Sequence, residues 1–183
     1  GTVIPKSAKI TINSFFWDIL KNTTKTNGKT DAYYLILHEV GHLLGIGSLW
    51  YLKNTKFEVN GKYFYTGNFA NLRYREYFGM HLSYIPIEDD GGGGTALAHP
   101  EEGDEGTHSS DSRVYGHIHH PGLGKELMTG WADKTIEPYP LSKITIGFLE
   151  DLGYEVNYDE CDPYQTTISQ NELSVHAAYT MGT

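Results

Sequence analysis

The segment His38-Glu39-Val40-Gly41-His42 constrains this chain more than any other feature of its sequence. It lies in a stretch with helical signals, with Asp31 as the N-cap of a helix over about 32–44 and Gly45 as its stop. At about 100° per residue, Tyr33, Ile36, Leu37, Val40 and Leu44 share one stripe. His38 and His42 stack on the opposite face, with Glu39 beside them. Two imidazoles one helical turn apart can ligate a single Zn²⁺ at about 2.0–2.1 Å, and the neighbouring carboxylate can reach a water on that ion. Gly41 costs about 1 kcal/mol in a helix interior, which predicts that another group approaches closely there.

A catalytic zinc takes three protein ligands and leaves a position for water. The short-spaced signature H-E-x-x-H-x-x-G-x-x-H would place the third histidine at residue 48, which is Ser48 here. The third ligand must therefore come from elsewhere. His99, His108, His117, His119 and His120 all fall in a Gly-, His- and acid-rich stretch over 89–124 that lacks periodicity, and a loop of that length is more often functional than idle. His117, His119 and His120 read first as a solvated loop, with a second metal site as the sharper alternative. His81 and His176 read as surface or satisfied core residues. Glu88, Asp89, Asp90, Glu101, Glu102, Asp104 and Glu105 offer hard oxygen ligands suited to Ca²⁺, but without the spacing of a calcium loop. Gly91–Gly94 lacks the Gly-Lys-Ser/Thr ending of a phosphate cradle and reads as a tight backbone turn ahead of His99.

Elsewhere, residues 8–13 alternate like a strand, and 22–30 form a polar, turn-rich linker. Residues 57–66 read as a hairpin around Asn60-Gly61. A second helix is expected over about 70–78, closed by Gly79. A third follows Ser142, with Ile144, Phe148, Leu149 and Leu152 apolar and Gly153 as its stop. The tail from Cys161 is polar and reads as extended or partly disordered. A chain of 183 residues suits one domain. Its 14 basic and 23 acidic residues give a net charge of −9, which argues against a nucleic-acid partner. No run approaches the roughly 20 apolar residues of a membrane span. Cys161 is the sole cysteine, so neither an internal disulfide nor a cysteine-based metal cluster can form. The start at Gly1, without a charged-then-apolar leader, reads as a mature or excised piece.

The run from His38 through His42 to Leu43-Leu44-Gly45-Ile46-Gly47-Ser48-Leu49-Trp50 resembles the active-site helix of leishmanolysin-like metallopeptidases, a branch of the metzincins. In that branch an insertion separates the third histidine from the helix. The stretch from Ile85 through Gly91–Gly94 to His99 resembles the glycine-rich approach to that delayed ligand. Glu126-Leu127-Met128-Thr129-Gly130-Trp131 resembles the segment holding the methionine turn, and 140–154 resembles the helix that follows. The resemblance implies His99 as the third ligand and Met128 as an apolar floor beneath the metal. It also implies that Thr129, Gly130 and Trp131 border the pocket for the side chain after the cut bond.

The fold so implied is α+β, a metzincin-like zinc peptidase domain with a reduced N-terminal sheet lobe and a loop-rich C-terminal lobe carrying one later helix. Residues 1–50 would be the upper-lobe remnant with the zinc helix and 51–98 the insertion. Residues 99–160 would be the lower lobe, and 161–183 the tail. Parasite-type members are rich in disulfides and this chain departs from them. Only 37 residues precede His38, so the upper lobe is minimal or an earlier part of the polypeptide is absent from the chain. The implied function is a zinc-dependent endopeptidase. Glu39 is its general base, His38, His42 and His99 hold one catalytic Zn²⁺, and the partner is a protein or peptide substrate. Secretion, or residence at a cell surface or on a particle, is the expected location. The alternative is a non-catalytic module of a larger assembly with zinc as a staple, and a weaker third option is hydrolysis of a non-peptide amide or ester.

Overall fold

The computed structural model describes residues 4–89, 91–103, 114–132 and 135–166. The architecture is α+β. Helices α1 (Ser14–Asn22) and α2 (Asp31–Leu44) come first, followed by strands β1 (Lys56–Val59) and β2 (Lys62–Tyr65), helix α3 (Asn68–Phe78) and strand β3 (Ile85–Ile87). A small hairpin, β4 (Val114–Tyr115) and β5 (Ile118–His119), precedes helix α4 (Lys143–Leu152) and a short 3₁₀ turn at Tyr158–Glu160.

Asn60 and Gly61 both take positive φ, 52° and 78°, the turn that matches the twist of two flanking strands. The β1–β2 hairpin follows directly, with Phe57 opposite Phe64, and β3 adds to β2 antiparallel. The free edge of β3 then recruits the segment carrying His99. The N–H of Leu97 donates to the Glu88 carbonyl (2.8 Å), that of Glu88 to the His99 carbonyl (3.0 Å) and that of Glu101 to the Pro86 carbonyl (2.9 Å).

Behind the sheet, Trp50, Tyr65 and Phe148 form a buried aromatic cluster with ring centroids 4.7–5.3 Å apart. Helix α4 starts at Ser142, whose hydroxyl accepts from the Ile144 and Thr145 amides, and stops at Gly153 with φ 102°. Asp151 on α4 accepts from the amides of Phe69 (2.9 Å) and Ala70 (3.0 Å), so it supplies the N-terminal cap that Gly67 has no side chain to give α3. The Tyr154 hydroxyl donates to the Leu44 carbonyl (3.0 Å), tying the end of α2 to the end of α4.

Several expectations need correction. Residues 8–13 form no strand: a strand requires a paired neighbour, none is present, and Asn13 instead caps α1 by accepting from the Phe15 amide. A sheet lobe ahead of α2 is not found either. Among the described residues before that helix, the only pairing is the Thr24–Thr30 bridge, and the sheet follows α2. Helix α2 begins one residue early, with Thr30 rather than Asp31 as its cap. The apolar stripe of α2 is only partly inward: Ile36, Leu37, Val40 and Leu44 are half-buried, as are His38 and His42 on the opposite face. Tyr33 is 42% exposed, whereas Ala32, Tyr34 and Gly41 are buried. Periodicity identifies a face by residue type, but the most buried positions of α2 are an alanine, a tyrosine and a glycine between its two faces. The start of the tail is fixed, since Tyr164 is buried and its hydroxyl donates to the Leu123 carbonyl; residues 167–183 lie outside the described set. Among the described residues no helix is long and apolar enough to cross a membrane.

Candidate metal centre

His38 and His42 project from successive turns of α2, and β3 delivers His99 to them. The Nε2 atoms lie 3.0 Å (His38–His42), 3.2 Å (His38–His99) and 2.8 Å (His42–His99) apart. Tetrahedral ligands at about 2.0–2.1 Å from a common ion would stand roughly 3.3 Å apart, so the spacing fits one cation between them.

The opposite nitrogen of each ring makes the assignment firmer. Nδ1 of His38 meets the Leu127 carbonyl at 2.7 Å, Nδ1 of His42 the Ile46 carbonyl at 3.0 Å, and Nδ1 of His99 the Thr95 carbonyl at 2.8 Å. A carbonyl only accepts, so each Nδ1 carries the proton, and in the neutral ring each Nε2 presents a lone pair. Three lone pairs directed at one point repel one another unless a cation lies between them. Burial holds the protonation of His38 below its ordinary range, and the neighbouring His42 adds to this. Burial, followed by the charges His42 and His38 would carry, brings His99 down to about 4. Neutral imidazole is the ligand form, so the His38–His42–His99 group can bind a metal ion.

Met128 and Gly41 account for the packing beneath. Met128 is fully buried, and a Cβ at Gly41 would stand 2.5 Å from its sulfur. This is the close approach that a glycine in mid-helix predicts, and it sets an apolar thioether between the two histidine turns.

A cavity of about 710 Å³ opens from the histidines. Glu39, half-buried on α2, lines it, as do Thr129, Gly130 and Trp131. Away from the histidines the wall includes Leu35 and Tyr139, then the buried Lys25, whose ammonium lies 2.8 Å from Asp31 and donates to the Thr135 carbonyl at 2.6 Å. Sequence reasoning missed Lys25, one of two lysines in a polar linker. Glu126, Leu127 and Gly47 also escaped as contributors to the site, because two act through the main chain and Glu126 acts by hydrogen bonds within the fold.

Among the described residues, the other candidates for third ligand do not join the cluster. His117 and His119 belong to the β4–β5 hairpin. His120 is fully buried, donates from Nδ1 to the Ile118 carbonyl (2.9 Å) and accepts the Ser83 amide at Nε2 (3.1 Å), so it is a satisfied core residue rather than a solvated one. His108 and His176 lie outside the described residues, as do Asp90, Asp104 and Glu105 among the acids offered for Ca²⁺. Of the remaining acids, Glu88, Asp89 and Glu101 bring carboxylate oxygens within 4.8 Å of one another, and Lys62 pairs with Asp89 at 3.0 Å.

No protein-family model matches this chain, and no curated protein matches it.

Proposed function

We propose that this chain is a zinc-dependent endopeptidase of the leishmanolysin-like kind, with a metzincin-type arrangement in which an insertion separates the third histidine from the zinc helix. The observation that carries the reading is the convergence of three imidazole Nε2 atoms, each turned by a main-chain carbonyl on its Nδ1, in the wall of a cavity of about 710 Å³. An all-imidazole donor set of three, with room for a further ligand, suits Zn²⁺ in a hydrolytic site. When bound, the ion supplies Lewis acidity, which makes water a nucleophile near neutral pH.

The protein's own groups do the rest. Glu39 follows His38 on the helix and faces the same cavity, so its carboxylate takes the proton from the attacking water and hands it to the departing amine. A purely structural site has no use for such a carboxylate. Thr129, Gly130 and Trp131 border the space for the substrate residue after the cut bond. Leu35, Leu127 and Tyr139 make that space largely apolar, and the Lys25–Asp31 pair at its far side is internally balanced, so a bulky uncharged side chain fits best. Action on proteins outside the cell, as a secreted or surface-held enzyme, accords with this reading.

Glu39→Gln provides the test. The variant keeps zinc and loses cleavage of a protein substrate by at least about 100-fold, the range for removing a general base. Full activity in that variant rejects the role of Glu39. A zinc-loaded wild type that cuts nothing points instead to a non-catalytic module with zinc as a staple.

A further inference from the structure

Glu126 is fully buried, and its surroundings are donors. Oε1 accepts from the Ser142 amide (3.0 Å), the Ser142 hydroxyl (2.7 Å) and the Thr145 hydroxyl (2.6 Å), the cap and the first turn of α4. Oε2 accepts from the Met128 amide at 2.7 Å. Burying a carboxylate costs several kcal/mol, and capping α4 alone does not require it, since the Ser142 hydroxyl already accepts from the Ile144 and Thr145 amides.

The division between the two oxygens points to a second task. The Met128 N–H and the Leu127 C=O belong to one planar trans peptide and point in opposite directions. On the far side of that plane, the Leu127 carbonyl accepts from His38 Nδ1 at 2.7 Å. Fixing the N–H therefore fixes the C=O. A continuous line of hydrogen bonds runs from Glu126 Oε2 through this peptide to the His38 ring, and each bond in such a line polarises the next. Closure of the turn by the Thr129 hydroxyl on the Glu126 carbonyl (2.9 Å) keeps the peptide in place.

We propose that Glu126 is a positioning residue for the metal centre, holding His38 in its ligating orientation and strengthening its Nε2 as a donor through the Leu127–Met128 peptide. The inference rests on reading the three histidines as a metal site. It assigns to Glu126, one peptide removed, the task that a carboxylate in direct contact with a ligating histidine performs elsewhere.

Glu126→Gln separates the two tasks of this side chain. Its amide oxygen can keep the three donors of α4, which leaves the NH₂ facing the Met128 amide, donor against donor. Zinc affinity, measured by chelator competition, should fall about 10–100-fold, as for loss of a carboxylate behind a metal-bound histidine. The visible spectrum of the Co²⁺-loaded protein should shift as well. Thr145→Val removes one bond to Oε1 and leaves Oε2 on Met128. It should lower the unfolding midpoint of the metal-free protein while zinc affinity stays within about twofold. Wild-type zinc affinity and an unchanged cobalt spectrum in Glu126→Gln would overturn the proposal. If that variant does not fold, amide NMR of the wild type decides. Zinc loading should move the Met128 N–H resonance downfield more than those of Ser142 and Thr145, and an unmoved Met128 signal counts against the proposal. A wild type that binds no zinc at all rejects the metal reading itself, a result distinct from every other outcome.

Discussion

Gly47 lies directly beneath Ala98: with φ 73° it packs so closely that a Cβ at this position would run into the Ala98 carbonyl oxygen. Gly47 stands just past the end of α2, and Ala98 immediately precedes His99. Their contact sets how near His99 comes to His38 and His42. Gly47→Ala forces the two backbones apart and strains a left-handed residue. The expected result is a loss of about 2–4 kcal/mol in urea unfolding and a fall in zinc affinity of more than about 10-fold. Chelator competition on the folded variant measures the second effect. Unaltered affinity would show that this contact does not set the ligand spacing.

Zinc should stabilise the fold markedly. Free zinc at about 100 times its dissociation constant adds roughly 2.7 kcal/mol, visible as a raised melting temperature that chelator reverses. His99→Ala should abolish most of that rise, while His117→Ala should leave it intact, since His117 lies on the separate β4–β5 hairpin. A zinc-dependent rise that survives His99→Ala but fails in His117→Ala would transfer the third ligand to the hairpin.

Acid should unfold the metal-free protein partly through His99. Its protonation in the fold is depressed from 6.5 to about 4, so the unfolded chain takes up the proton first as pH falls. The associated stability is whole above pH 6.5 and disappears progressively as pH drops toward 4, about 3 kcal/mol in all. Urea midpoints at pH 7, 5.5 and 4, compared between wild type and His99→Gln, isolate this contribution from that of the carboxylates. The slope of the variant should be shallower; parallel slopes would contradict the burial argument.

Under the proposed peptidase function, the cavity predicts a substrate preference. Peptides with a large apolar residue after the cut bond should be favoured over acidic or basic ones, and Tyr139→Ala should tolerate still larger groups at that position. A peptide library read by mass spectrometry gives the answer, and a preference for charged residues there would contradict the assigned pocket.

The elements that sequence discloses are those whose signals are local. Gly45 and Gly153 end helices in the left-handed conformation, Ser142 caps α4, and Asn60-Gly61 turns a hairpin, all within a few residues of the pattern that announces them. His38, Glu39 and His42 are legible for the same reason, because one helical turn relates them. His99 could be named only by resemblance, since its approach depends on pairing with the edge of β3, and it lies 61 residues beyond His38 in the chain. Residues 8–13 misled because alternation specifies a half-buried strand only when a neighbour exists to pair with it. Burial along α2 is less legible, because the helix is contacted on two faces: Leu37 packs on the core while Gly41 meets Met128.

The orientation of all three candidate ligands is entrusted to oxygens of residues 46, 95 and 127, none of which depends on the side chain attached. A centre framed in this way can keep its geometry while the surrounding letters change. Substitutions at those positions that preserve the course of the main chain should leave all three ring orientations in place.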